Sequence, residues 1–446
     1  MKNDIYAIIG IVYTMLVLPI TTIMGNSLLY WLILIAYLAW MIITKKTGFS
    51  IVMLSICLCQ PTITSEEFDV DYINNLFSSF YYVLLFLPFI ISIYLFFIKG
   101  YRPFKNTILI SIVFLIIGLM YGLSLPNIIY KIVVTHFAFY IGFYDRLNFE
   151  SLFRLYGITV LVTAVYAIID YFLGVTPYTM IYASLVDYSQ YDWYVKRASG
   201  LLGNPLILLL VATFYQALIC YKGILTGKLP VIPQLLCLTL SLIVVSRTAL
   251  LSCVVFLFFY FVHIKSKISG KLIMSITIIV LFCTLGIMYY FSDTLNDLIL
   301  RLSTGNNLHR QSSFQVTYNI LSDNIFGIGF ENYANLLGKY AAQGTNTDVH
   351  TLDNLFLTQL AHYGIIGFYI IYFYVYYFLQ YIKIWKRAKW NKEVFYLILA
   401  FFISAICFDF EAYNNICFVV FVLIGSAFSR LYHYYPKSCS LTPQYV

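Results

Sequence analysis

Three arginines of the sequence stand where they could bind a negatively charged group. Arg197 precedes a Gly-rich turn, Arg247 lies in a tight turn between two apolar runs, and Arg310 lies in a long polar segment. The planar guanidinium of arginine binds a phosphate through two parallel hydrogen bonds. A helix N-terminus beside it would add backbone donors for the same anion. Several such arginines around one opening would form a site for a pyrophosphate.

His350 is the best candidate for a general base. It lies at the start of an apolar run, among Asp348, Asp353 and Asn354. The unperturbed pKa of a histidine is near 6.5, which suits proton transfer at neutral pH. The competing interpretation is a loop histidine without a specific role.

The elements that position these residues are predicted to be membrane helices. Of the 446 residues, 61% are hydrophobic and only 10% are charged, and the mean hydropathy is +0.85. A soluble domain carries about 25% charged residues, so lipid must be the solvent for most of this chain. This composition excludes a soluble enzyme, a nucleic-acid binder and a disordered scaffold. The nine cysteines lie mostly within apolar runs, which favours packing over disulfides or zinc ligands.

Apolar runs of the length that a membrane span needs recur along the whole chain, and they predict an all-α polytopic membrane protein with about 12 to 14 transmembrane helices. The fourteen candidate spans cover residues 5–24, 28–43, 49–63, 76–98, 107–123, 127–144, 151–173, 204–221, 230–245, 247–263, 272–291, 354–382, 394–410 and 414–432. No long polar stretch separates them, so residues 1–446 are expected to form a single integral membrane domain.

The distribution of positive charges provides a second prediction of topology, because Lys and Arg collect in cytoplasmic loops. When the N-terminus is placed in the cytoplasm and the loops alternate, most of the 27 Lys and Arg fall on the cytoplasmic side. If the number of spans were wrong by an odd number, the loops that follow would change sides and this bias would be lost. We therefore expect an even number of spans and both termini in the cytoplasm.

Two outer loops are unusually long, residues 174–203 and residues 292–353. Loops of this length are generally functional or disordered. Both carry aromatic side chains, which could allow them to fold into short, packed helices on the outer side of the membrane helices. The first loop contains Arg197, and the second contains Arg310, His350 and Asp353. The remaining loop cations, such as Arg301, are expected to be solvated.

Four segments, taken in order, resemble the O-antigen ligase and polymerase superfamily. They are Arg197 through Asn204-Pro205, then Ser246-Arg247-Thr248, then Arg310 followed by Asp323-Asn324 and Gly327-x-Gly329, and finally His350 through Asn354 to Gly364-Ile365-Ile366-Gly367. The resemblance covers roughly residues 195–370 and includes the two long loops. The first half of the chain resembles the superfamily only as a succession of spans.

The resemblance implies a metal-independent inverting glycosyltransferase with a GT-C-like architecture, two large periplasmic loops and no cofactor, located in the bacterial cytoplasmic (inner) membrane. It implies that the three arginines, Arg197, Arg247 and Arg310, bind the pyrophosphate of an undecaprenyl-diphosphate-linked glycan. Asn204 and Asn354 would position the substrate.

The catalytic base that the resemblance implies is His350, with one alternative. Members of the family often have the histidine and the asparagine adjacent, whereas Thr351-Leu352-Asp353 separate His350 from Asn354 here. Asp353 is therefore the alternative base.

The sequence hypothesis is a Wzy-type polymerase that joins lipid-linked oligosaccharide repeats into O-antigen or capsular polysaccharide. Donor and acceptor would both be linked to undecaprenyl diphosphate, and a chain-length regulator and a flippase would be partners. The alternative enzyme is an O-antigen ligase that transfers the glycan to lipid A core. A flippase is disfavoured because few ionisable residues lie within or at the ends of the spans; they are Lys131, His136, Asp170 and His362.

Overall fold

The computed structural model describes residues 105–122, 125–132, 137–144, 148–174, 205–244, 247–264, 306–329, 333–344, 354–367, 392–408 and 414–434, together with Leu352 and ten positions before residue 37. These residues form twelve α-helices and no strand, in agreement with the predicted all-α fold. The helices are α1 Lys105–Met120, α2 Leu125–Ile132, α3 Ala138–Tyr144, α4 Phe149–Leu173, α5 Pro205–Thr226, α6 Val231–Ile243, α7 Arg247–Ile264, α8 Asn306–Asp323, α9 Tyr333–Gly344, α10 Leu355–Tyr363, α11 Lys392–Cys407 and α12 Asn414–Tyr434.

Two of the described helices are long and apolar enough to cross a membrane, over Phe149–Leu173 and Leu206–Thr226. Both coincide with predicted spans. The total of 12 to 14 spans remains a prediction, because several of the predicted spans lie outside the described residues. Those wholly outside are 49–63, 76–98 and 272–291, and the first long loop after Gly174 also lies outside.

The sequence of α4 determines both its ends and its exposed face. The Asn148 side chain caps its first turn by accepting a hydrogen bond from the Ser151 amide at 2.7 Å, and Gly174 ends it in the left-handed conformation. Its exposed apolar side chains recur at helical spacing and form one stripe. They are Leu161, Val165, Ile169, Phe172 and Leu173. A continuous exposed apolar stripe is typical of a face that contacts lipid.

Helices α4 and α5 run antiparallel. Glu150, in the first turn of α4, pairs with Lys222 near the end of α5. Further along, the Tyr156 hydroxyl donates to the carbonyl of Val211 at 3.2 Å. The connection between α4 and α5 therefore begins and ends on the same side of the bundle, as a loop between two consecutive spans must.

Helices α5, α7 and α11 form the centre of the main hydrophobic core. A Cβ added to Gly223 near the end of α5 would lie 2.7 Å from the Tyr260 ring near the end of α7, so these two helices run parallel. His263 near the end of α7 lies 3.0 Å from the Tyr396 hydroxyl near the start of α11, measured from Nδ1 to oxygen. Helix α11 therefore runs antiparallel to α5 and α7.

The closest packing of two helix backbones among the described residues involves α3 and α12. A Cβ added to Gly142 would overlap the Val422 carbonyl oxygen, and one added to Gly425 would overlap the Phe139 carbonyl oxygen. Without side chains at these two positions the helices can approach closely, which is how transmembrane helices commonly associate.

The predicted span over residues 354–382 is not one continuous helix. Helix α10 ends at Tyr363, and Gly364 adopts φ +54° and ψ −130°. Apolar composition predicts a membrane-sized run here, but it does not reveal that the backbone turns at Gly364.

A buried ion pair joins the last two described helices. Glu393 is 1% exposed, and its two carboxylate oxygens share the single N–H of Arg430 Nε at 3.1 Å each. Arg430 Nη2 donates to the same carboxylate, while Nη1 donates to the Ser426 hydroxyl at 2.9 Å. This geometry gives the buried carboxylate charge-assisted hydrogen bonds.

Replacing Arg430 with leucine is expected to destabilise the folded chain by about 3 to 5 kcal/mol, because it leaves the Glu393 carboxylate buried without its counter-charge. The measurement is the thermal unfolding midpoint of the full chain in detergent. The double variant Glu393→Leu/Arg430→Leu should recover part of the loss. Lys222→Ala, which breaks an ion pair whose Glu150 side chain is 57% exposed, should have a much smaller effect. Equal midpoints for Arg430→Leu and Lys222→Ala would contradict this role.

Candidate functional site

Three predicted site segments meet the helix bundle at the same end. Pro205, which follows Asn204, is the first residue of α5, and Arg247 is the first residue of α7. The Asn354 side-chain amide donates to the Ile406 carbonyl at 3.0 Å, near the end of α11. Because α5 and α7 are parallel and α11 is antiparallel to both, all three positions lie at one end, which we call the loop end.

The loop end is electrostatically suited to an anion. Helices α5 and α7 both begin there, so their first-turn N–H groups, which have no partners within the helices, lie at this end. The aligned peptide dipoles give each helix N-terminus a partial positive charge. Arg247 adds a full positive charge at the first position of α7. This combination fits the binding of a phosphate group.

Arg310 lies on α8, a helix within the predicted second long loop. Helix α8 packs against α10 through a separate hydrophobic cluster. The buried members of this cluster are Val316, Ile320, Leu337, Ala341, Leu352, Leu357 and Ala361. Leu352, 3% exposed, lies between His350 and Asn354. The helix of Arg310 and the segment of the proposed base are therefore held together by shared core packing.

Both the oxygen and the nitrogen of the Asn354 side-chain amide form hydrogen bonds to the backbone. Its Oδ1 caps α10 by accepting hydrogen bonds from the amides of Phe356 at 2.9 Å and Leu357 at 3.2 Å. Its Nδ2 donates to Ile406 on α11. Asn354 therefore fixes where α10 begins and how it docks on the bundle. Its part in positioning the substrate stays a prediction.

The Gly327-x-Gly329 and Gly364 motifs form one interlocked contact. The amides of Ile328 and Gly329 donate to the carbonyls of Ala361 and His362 at 2.9 and 3.1 Å, and the Ile365 amide donates to Ile325 at 2.8 Å. Gly327 and Gly364 both have positive φ, at +79° and +54°. A Cβ on Gly327 would lie 2.6 Å from the Gly364 nitrogen. These glycines attach the end of α8 to the end of α10.

Replacing Gly364 with alanine is expected to disrupt this interlock. The added Cβ would overlap the Ile325 carbonyl oxygen, and a positive φ costs a non-glycine residue about 1 kcal/mol or more. We expect at least a tenfold loss of activity with normal membrane abundance, since misplacing catalytic groups by about 1 Å can cost 100-fold. Gly338→Ala, on α9, is the control because a Cβ there meets nothing within 4 Å. Equal activity of both variants would show that the interlock does not set the site geometry.

Asn324 and Tyr340 complete the attachment of α8. The Asn324 side chain forms the turn that precedes Gly327, accepting from the Phe326 amide at 3.1 Å and donating to the Gly327 carbonyl at 2.5 Å. Burial raises the pKa of Tyr340 on α9, and the negative charge of Asp323 and a hydrogen bond to its carboxylate raise it further. Tyr340 therefore stays protonated and bonds to the last residue of α8.

Two ionisable residues at span ends are buried. Asp170, 7% exposed, lies in the last turn of α4, at the loop end of the bundle. His362, 9% exposed, lies in the last turn of α10, and its carbonyl accepts the Gly329 hydrogen bond. His362 is thus packed at the contact between α10 and the Gly327-x-Gly329 segment.

The remaining predicted site groups lie outside the described residues. These are Arg197, Asn204, His350 and Asp353, together with the side chains of Arg247 and Arg310. Their proposed roles stay predictions. The structure does describe the backbone of Arg247 and Arg310 and the whole of Asn354. It also describes Pro205, which follows Asn204, and Leu352, which precedes Asp353 in the sequence.

Tyr121 is a residue near the site that sequence reasoning missed. Its hydroxyl donates to the Tyr363 carbonyl at 3.3 Å, its ring meets the Tyr363 ring edge-on at 5.3 Å, and its carbonyl lies 3.0 Å from a Cβ placed on Gly329. Tyr121 is separated from these residues by more than 200 positions. A tyrosine at the end of an apolar run is common at any membrane interface, so no local signal identified it.

A comparison with protein families gives a match for part of this chain. The family model described as O-antigen ligase matches residues 233–373, a segment that extends from α6 through α10. The match includes Arg247, Arg310, His350, Asp353 and Asn354, whereas Arg197 and Asn204 precede it. No curated protein matches the chain.

Proposed function

We propose that the chain is a polysaccharide polymerase of the O-antigen ligase and polymerase superfamily, whose members are glycosyltransferase-like enzymes. The family match over residues 233–373 supports this proposal. It joins oligosaccharide repeat units carried on undecaprenyl diphosphate into O-antigen or capsular polysaccharide. The reaction takes place at the periplasmic face of the cytoplasmic membrane, and both chain termini are cytoplasmic.

The proposed reaction is an inverting transfer of the growing glycan. A hydroxyl of the acceptor sugar attacks the anomeric carbon of the donor, forming a new C–O bond as the bond to the diphosphate oxygen breaks. His350, or alternatively Asp353, takes the hydroxyl proton. Undecaprenyl diphosphate leaves with the electron pair of the broken bond, and Arg197, Arg247 and Arg310 hold its developing negative charge.

The observation that supports this proposal most directly is the composition of the loop end. The N-termini of α5 and α7 and Arg247 lie there, and Asn354 secures the segment of the proposed base to the same end of the bundle. An acceptor hydroxyl and a departing diphosphate must meet within one site. The loop end would supply the anion-binding groups and the base side by side.

A second candidate function is the transfer of finished glycan to lipid A core. It is favoured by the description of the matching family, which is O-antigen ligase. Polymerase and ligase would share the donor, and thus the same arginines and base. They differ only in the acceptor.

The test is the lipopolysaccharide profile of cells from which the gene is deleted and then restored. Loss of a polymerase leaves core that carries a single repeat unit. Loss of a ligase leaves bare core while long glycan accumulates on undecaprenyl diphosphate. A deletion that prevents any repeat unit from reaching the periplasmic face would instead indicate a flippase and contradict both enzyme proposals.

A further inference from the structure

The exposed face of α8 carries two large aromatic side chains one helical turn apart. Phe314 is 60% exposed and Tyr318 is 67% exposed. Residues at i and i+4 are neighbours on a helix surface, so the two rings lie on the same face. Exposed apolar rings that adjoin one another on a helix can form a binding surface.

Amide side chains border the aromatic pair. Gln315 and Asn319 occupy the adjacent i and i+4 positions, and Gln315 Nε2 donates to Asn319 Oδ1 at 3.0 Å. Each amide retains a further donor and acceptor capacity beyond this bond. The face therefore presents apolar rings beside neutral hydrogen-bonding groups.

The opposite face of α8 is firmly anchored. Ser313, Val316, Thr317 and Ile320 are buried, and the Thr317 hydroxyl donates to the Ser313 carbonyl at 2.8 Å. The aromatic face is thus presented by a helix that packing holds against α10. Rigid aromatic groups bind ligands with little loss of conformational entropy.

We propose that this face, which we call the Phe314–Tyr318 surface, binds the glycan of the lipid-linked substrate. The inference rests on the proposed function and extends it to the sugar chain. Aromatic rings pack on the apolar faces of sugar rings, while amides bond to sugar hydroxyls. Arg310 precedes Phe314 by four residues and so shares its side of the helix backbone. The surface thereby continues from the proposed pyrophosphate site along the attached sugars.

The chemistry of the surface favours sugar over a lipid headgroup. Helices that lie on a membrane surface combine an apolar face with lysines or arginines. Arg310 is the one arginine of α8, and no lysine or arginine follows it as far as Gly329. The exposed positions that follow Phe314 on α8 are Gln315, Tyr318, Ser322 and Asp323. Neutral amides and hydroxyls match the hydroxyl groups of a glycan, whereas they offer no attraction to anionic lipids.

The test is direct binding of free oligosaccharide to the full chain purified in nanodiscs. The probes are fragments of one and two repeat units, released by mild acid from the surface polysaccharide of the strain that encodes the chain. The double variant Phe314→Ala/Tyr318→Ala should weaken binding of the two-repeat fragment by at least about tenfold. Gln315→Ala/Asn319→Ala should weaken it less. Phe258→Ala is the matched control, because that ring is 62% exposed on α7.

The outcome separates this surface from the proposed reaction, because binding requires no turnover. Loss of binding in the aromatic variant alone, with an unchanged thermal midpoint, supports the surface even if the chain forms no polymer. Unchanged binding in Phe314→Ala/Tyr318→Ala would overturn it, however active the enzyme is. An equal loss in Phe258→Ala, or a loss that depends on the nanodisc lipid and not on the fragment, would also overturn it.

Discussion

Arg247→Ala is expected to lower the rate of glycan polymerisation by at least about 100-fold, since removing one preorganised group that stabilises developing charge typically costs that much. Arg247 begins α7 at the loop end, where α5 also begins. In the proposed reaction the departing diphosphate gains negative charge as the bond to the sugar breaks. Loss of the Arg247 cation should therefore raise the energy of the transition state more than that of the bound substrate. The measurement is the rate of chain lengthening at matched membrane abundance.

The control variants for Arg247 separate charge from geometry. Arg247→Lys keeps the charge but lacks the planar fork that binds phosphate bidentately, so it should restore only part of the rate. Arg310→Ala is expected to give a comparable loss. Arg154→Ala changes an exposed residue near the start of α4, at the opposite end of the bundle, and should leave the rate unchanged. A normal rate in Arg247→Ala, or an equal loss in Arg154→Ala, would contradict the proposed phosphate site.

His350→Ala is expected to reduce polymerisation by about 100- to 10,000-fold, the usual contribution of a general base. Asp353→Asn should have a smaller effect if Asp353 only supports the segment. The pH profile distinguishes the two candidates. An imidazole base gives a rate that falls as the pH drops through about 6.5, whereas a carboxylate base keeps the rate constant down to about pH 4.

The packing around Leu352 makes a control necessary for His350. Leu352 is buried against α8 and α9, so a substitution beside it could act by disturbing the cluster. Leu352→Ala should therefore lower stability and activity together, whereas His350→Ala should lower activity at an unchanged thermal midpoint. A larger loss in Asp353→Asn than in His350→Ala, or a matching loss of stability in His350→Ala, would reject histidine as the base.

The sequence predicted the helices well wherever a local pattern determines them. Apolar runs predicted spans over residues 151–173 and 204–221, and the structure has α4 and α5 there, two helices that are long and apolar enough to cross a membrane. Such agreement is expected because span length and hydropathy are local properties. Because only a short turn separates two apolar runs at Arg247, the sequence predicted a helix boundary there, which the structure confirms.

The contacts that assemble the candidate site were beyond a single sequence because they are tertiary. Gly327 and Gly364 were recognised as parts of a motif, yet their interlock depends on α8 and α10 meeting. Asn354 was predicted to position substrate, and the structure adds a structural role for it, because its amide caps α10 and bonds to α11. A polar residue at the start of an apolar run has the same appearance in either role.

The buried pair of Glu393 and Arg430 was not predicted from the sequence. The structure pairs these two residues in a site where Glu393 is 1% exposed. The two residues lie on different helices, and only the packing of α11 against α12 brings them together.

Reconstitution of the reaction would test the proposed polymerase most directly. The purified full chain in nanodiscs is supplied with undecaprenyl-diphosphate-linked repeat units, without nucleotides and without lipid A core. The proposal predicts glycans of two or more repeats and one undecaprenyl diphosphate released for each linkage formed, with both products greatly reduced in Arg247→Ala. Release of undecaprenyl diphosphate only when lipid A core is added, with no lengthening of the lipid-linked glycan, would contradict the polymerase and identify a ligase.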